Sequence, residues 1–165
     1  MSRLGVLYAI NDEELALLKK QKEEDMYEYM LENIEDEYID GRRACELDKA
    51  WYTLHYAFNN GKWIEDTSTL SKIILGGEFL LDNEEDLITL KNHDDVKEIV
   101  NYFSTNQDTL NEILENGFKN TKSEDLDLPK DENLLEYIKD WSMGLGAFYQ
   151  NALDNNLNVI FTIDL

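Results

Sequence analysis

Two β-prone runs stand at opposite ends of this chain, Gly5–Ile10 and Val159–Ile163, and nearly everything between them carries helical period. A buried backbone must pair its N–H and C=O groups. Two such runs separated by helices therefore predict strands that share one sheet and tie both ends down. At 165 residues the length suits one domain. The expected architecture is a single α+β domain over residues 1–165, mostly helical, with a small sheet that includes strands from both termini.

The intervening segments read as follows. Asn11 with Glu14 three residues on has the form of a capping box, opening a helix with Leu15, Leu17 and Leu18 on its apolar side. Tyr27, Met30, Leu31, Ile34 and Tyr38 recur at helical spacing and predict a helix from Glu24 to Tyr38. Asp48 is placed as the N-cap of a helix with Trp51, Leu54, His55 and Phe58 as its stripe, closed by Asn60-Gly61. Leu70–Leu75 fits a short helix or a strand equally. Leu87–Leu90 reads as a short extended piece. Two helices follow, one with Val96, Ile99, Val100 and Phe103, the other with Leu110, Ile113, Leu114 and Phe118. A loop covers residues 119–130. One long helix then runs from Leu134 past Ala152, with Gly144 and Gly146 inside it predicting a local distortion.

Charge narrows the partners. Fifteen Lys and Arg stand against thirty-six Asp and Glu, a formal net charge of -21. Such a surface repels phosphate backbones and anionic lipid, so neither nucleic acid nor membrane is an expected partner. A basic protein is the partner that charge favours. No apolar run approaches the roughly 20 residues of a membrane span, and the start lacks a charged then apolar leader. The expected location is the cytoplasm. The single cysteine, Cys45, excludes an internal disulfide.

Catalytic patterns are absent. No phosphate loop, nucleophile elbow or His-Glu-x-x-His occurs. Asp125, Asp127 and Asp131 alternate like calcium ligands, but Pro129 interrupts them and the loop glycine is missing. No metal site, no cofactor and no catalytic residue are assigned, and a non-enzymatic role is expected.

Two candidate sites remain. Trp51 and His55 lie one turn apart on one helix face. With a turn at Gly76-Gly77 and the carboxylate of Glu78, they are the candidates for the pocket of a small-molecule-binding protein or an enzyme, the alternative to a protein-binding role. The bland reading makes the same residues a core stripe and a glycine turn with positive φ. The second candidate is the ladder Glu24, Glu28, Glu32 and Asp36, four residues apart along one helix face. It reads as a solvated face or as a docking surface for a basic protein, of the kind an immunity protein presents to a basic toxin.

Leu47-Asp48-Lys49-Ala50-Trp51 with Leu54-His55, and Gly76-Gly77-Glu78, are the most distinctive stretches. Together with Tyr8-x-Ile10, Phe148-Tyr149 and Asn158-Val159-Ile160-Phe161 they resemble the YfbM-like family of bacterial proteins, a domain of unknown function. The resemblance covers nearly the whole chain. It implies a fold and carries over no catalytic residue.

Overall fold

The computed structural model describes residues 3–35 and 43–164. Among them, five strands form one sheet: β1 (Leu4–Ile10), β2 (Ala44–Asp48), β3 (Glu78–Asp82), β4 (Leu87–Lys91) and β5 (Asn158–Asp164). Their order is β2-β1-β5-β4-β3, and every neighbouring pair is antiparallel. The two terminal strands are neighbours at the centre, from Leu4 opposite Asp164 to Ile10 opposite Asn158. The fold is α+β, with strands from both termini in one sheet.

Period-2 alternation divides the core. Leu7 and Ala9 of β1 face one apolar cluster with Val159 and Phe161 of β5; Val6, Tyr8 and Ile10 face the other with Ile160. On the second face lie α1 (Asp12–Lys19), α2 (Glu23–Met30) and a π-helical turn (Leu31–Glu35). The first face carries the larger helical layer: α3 (Ala50–Phe58), α4 (Thr69–Lys72), α5 (His93–Thr105), α6 (Leu110–Asn120), α7 (Glu132–Ser142) and α8 (Leu145–Asp154). Three layers result, with the sheet in the middle.

Helix starts follow local chemistry. Asn11 and Glu14 form the expected capping box on α1. Asn92 does the same for α5: its side chain accepts from Asp95 N at 2.9 Å, and Asp95 accepts from Asn92 N at 3.0 Å. The box sits where β4 turns into α5. Asn92→Ala is expected to cost about 1 kcal/mol, read as a lower urea midpoint with an unchanged m-value.

Three elements depart from the sequence reading, and a fourth that it left open is decided. Asp48 does not cap α3. It ends β2 with φ 48°, its carboxylate accepts from Lys49 N at 2.7 Å, and Lys49 is the N-cap residue, without a side-chain cap. The left-handed backbone at Asp48 turns the chain from strand to helix, a conformation Asp tolerates. The helix expected from Glu24 to Tyr38 is α-helical only to Met30 and then widens into the π turn; Tyr38 lies outside the described residues. The long C-terminal helix is two helices, interrupted at Met143 and Gly144. Leu70–Leu75 takes in all but the first residue of α4 and the turn that follows it, so helix prevails over strand.

Candidate functional site

α3 is buried nearly all round, with only Tyr52 left half-exposed. A helix apolar on all sides belongs inside a core, and α3 is wrapped by the sheet, α6 and α7. Trp51 packs its indole against Phe161 and donates Nε1–H to the Arg3 carbonyl at 2.7 Å. His55 is 0% exposed. Both residues therefore lie in the core.

His55 reaches a segment of irregular backbone. Its Nε2 lies 2.7 Å from the Ile64 carbonyl oxygen. A carbonyl only accepts, so Nε2 carries the hydrogen and Nδ1 is the bare nitrogen. That Nδ1 is buried and has no partner among the described residues. Burial pushes the imidazole pKa down to about 4; the Ile64 bond opposes the shift and the Lys91 charge adds to it. The Trp63 ring packs on His55 in a T-shaped contact, with centroids 4.7 Å apart.

The same segment is gripped from several sides. Ser71 Oγ donates to Ile64 O at 2.6 Å, and Asn59 Nδ2 reaches Leu70 O at 3.4 Å. The Tyr149 hydroxyl donates to Ile73 O at 2.5 Å, and Lys91 Nζ donates to Ile74 O at 2.5 Å. Gly77 N bonds the Asp66 carbonyl at 3.2 Å, and Gly76 N bonds Ser71 O at 2.7 Å. Buried carbonyls outside regular structure need donors. Here the core histidine, asparagine, serine, tyrosine and lysine supply them. Lys91 is fully buried, and the loss of water holds its amine well below the usual lysine range.

The structure thus links His55 to the Gly76-Gly77 turn through Ile64, Asp66 and Ser71, whereas Trp51 reaches this segment only by its ring contact with Trp63. Gly77 has φ 117°, the positive value expected of the turn. Glu78 points elsewhere: it opens β3, is 61% exposed at its side chain, and lies 3.6 Å from Lys19 of α1, a helix on the opposite face of the sheet. Sequence reasoning missed Ser71, Lys91 and Tyr149. One signal was available: period 2 in Leu87–Lys91 places Lys91 in phase with Thr89 and Leu87, on a buried side.

The second candidate is on the surface. Glu24 and Glu28 on α2 and Glu32 on the π turn are exposed, while Met26, Met30 and Ile34 behind them are buried. Among the described residues none of these three carboxylates has an ion-pair partner. Asp36 lies outside the described residues. Also among the described residues, no group of three or more His, Cys, Asp or Glu is placed to hold a metal ion, and no helix is long and apolar enough to cross a membrane.

The fold defines a class: a three-layer α+β domain with a central antiparallel sheet closed by its terminal strands. The family model described as a domain of unknown function, DUF1877, matches residues 1–162, and the chain belongs to that family. The fold is similar to that of the crystal structure of a protein of unknown function, YfbM from Escherichia coli, with a TM-score of 0.67 at 15% identity over 97% of this chain and 99% of that one. No curated protein matches the sequence.

Proposed function

We propose that this is a cytoplasmic, non-enzymatic protein-binding domain that docks a basic protein through the outer face of α2 and its π turn. The observation that carries this reading is the row Glu24, Glu28 and Glu32, exposed and without described cationic partners. Like charges one turn apart destabilise an isolated helix by about 0.2–0.5 kcal/mol per pair. Packing of Met26, Met30 and Ile34 offsets that cost, so the core holds the charged row in place. The π turn adds to the argument, since such widened turns recur at functional sites. An immunity-like role towards a basic toxin fits the same surface by analogy. A small-molecule pocket at Trp51, His55 and Gly76-Gly77 finds less support, because Trp51 Nε1 and His55 Nε2 are bonded to backbone, the other imidazole nitrogen is closed off in the core, and Glu78 faces away.

The test compares capture by the native protein and by a Glu24→Gln/Glu28→Gln/Glu32→Gln variant, with circular dichroism confirming that the variant is folded. A basic protein retained by the native chain at low salt should be lost at high salt. Its association rate with the variant should fall at least about tenfold. Equal capture by both chains, or no salt-sensitive partner, would count against this surface.

A further inference from the structure

A trough of about 410 Å³ lies where α5 and the start of α6 meet the α7–α8 break. None of its lining residues is charged, in a chain where 31% of residues are. Its apolar part is formed by Val100, Phe103, Leu110, Ala147 and Met143, the last 81% exposed at the break between α7 and α8. Its polar part includes the Ser104 hydroxyl and the Gln107 amide, and among the described residues neither side chain has a hydrogen-bond partner. Gly146 forms part of the lining within α8. A Cβ there would meet nothing nearer than Phe103 Cδ1 at 3.7 Å, an ordinary contact. Packing therefore does not demand glycine, although glycine weakens a helix. What the missing side chain preserves is the open trough.

We propose that this trough is a binding site for a small uncharged ligand that carries an apolar ring or chain and an amide or hydroxyl group. The volume is of the size that takes small molecules, and the lining mixes polar and apolar surface in nearly equal parts, which matches a ligand of the same mixed character. Phe103 and Met143 contact the apolar part; methionine adapts its shape to what it meets. Ser104 and Gln107 hydrogen-bond the polar group. The overall negative charge repels anions, and the trough offers a cation no counter-charge, so neutrality is the matching property. The site lies on the opposite face of the sheet from α2 and stands independently of the protein-docking surface.

Benzamide is the probe, with benzoate and benzylamine as charged counterparts, titrated into the full chain while backbone amide resonances are followed. Benzamide should shift the Ser104, Gln107 and Gly146 signals saturably with millimolar affinity, as suits so few atoms. Both charged counterparts should bind at least about tenfold more weakly. Gly146→Leu fills the trough and should abolish the shifts while thermal melting shows a folded protein. Gln107→Ala, an exposed change that leaves folding unaffected, should weaken binding several-fold. Absence of saturation by benzamide, equal response to benzoate or benzylamine, or unchanged binding in Gly146→Leu would each overturn the proposal.

Discussion

Gly117→Ala should destabilise this protein by about 3 kcal/mol, near the upper end for overpacking, even though alanine is the better helix former. Gly117 lies in α6 where that helix crosses α3. A Cβ built there would stand 1.8 Å from the Ala57 carbonyl oxygen and 2.6 Å from its carbon. Both are backbone atoms, so no side-chain rotation relieves the clash; the helices must separate. Separation disturbs Phe58 and Phe118 and the residues packed on them. Gly146→Ala is the control. Its Cβ has ordinary room, so the same substitution should raise stability, by up to about 1 kcal/mol. Urea melts of the two variants should move in opposite directions. A neutral Gly117→Ala would show that the contact between α3 and α6 is looser than described.

Acid should act on His55 before it acts on most carboxylates. The folded pKa is about 4, against the ordinary value of 6.5. As pH falls below 6.5 the unfolded chain takes up a proton that the folded chain refuses. Stability therefore declines across that window and stops responding to this group below about pH 4. The total loss is about 3 kcal/mol. Asp12 and Asp66, whose pKa values are lowered, are lost from the folded state's favour only at lower pH. Denaturant melts from neutral pH to about pH 4 should show a steeper decline for the native protein than for His55→Gln. Parallel declines would mean that the imidazole titrates freely, and that its bond to Ile64 is not closed to water.

The terminal strands were legible because their β-branched and aromatic residues alternate cleanly. The helices with strong amphipathic period, α5 and α6, were legible for the corresponding reason. β2 was not. It is an edge strand with Cys45, Glu46 and Asp48 in a mixed burial pattern, and its charged residues resemble those of a loop. β3 was hidden by an irregularity between Phe79 and Leu81 that breaks its period. Gly144 and Gly146 marked a distortion, but a full break was masked because Ile138, Leu145 and Phe148 continue one apolar stripe across it.

Of the candidate site, the core stripe of Trp51 and His55 and the positive-φ glycine turn were legible, but the backbone partner of His55 was not. Proximity along a helix shows which side chains share a face; it does not show that the imidazole meets a carbonyl from residue 64. The partners of Lys91 and Tyr149 are backbone atoms, and any residue can contribute those, so the pattern of side chains contains no trace of them.

The pairing of β1 with β5 sets the order in which the molecule can be assembled. The strand that leads the described chain stays without its central neighbour until about 150 further residues have been made. During synthesis one long edge of β1 is exposed to any competing strand, and Val6, Tyr8 and Ile10 gain the neighbouring Ile160 only at the end. Early docking of β2 and of α1 and α2 can shield part of that strand, but the sheet closes last at its middle. Folding should accordingly be slow for a chain so rich in helix, because its defining contact spans nearly the whole sequence.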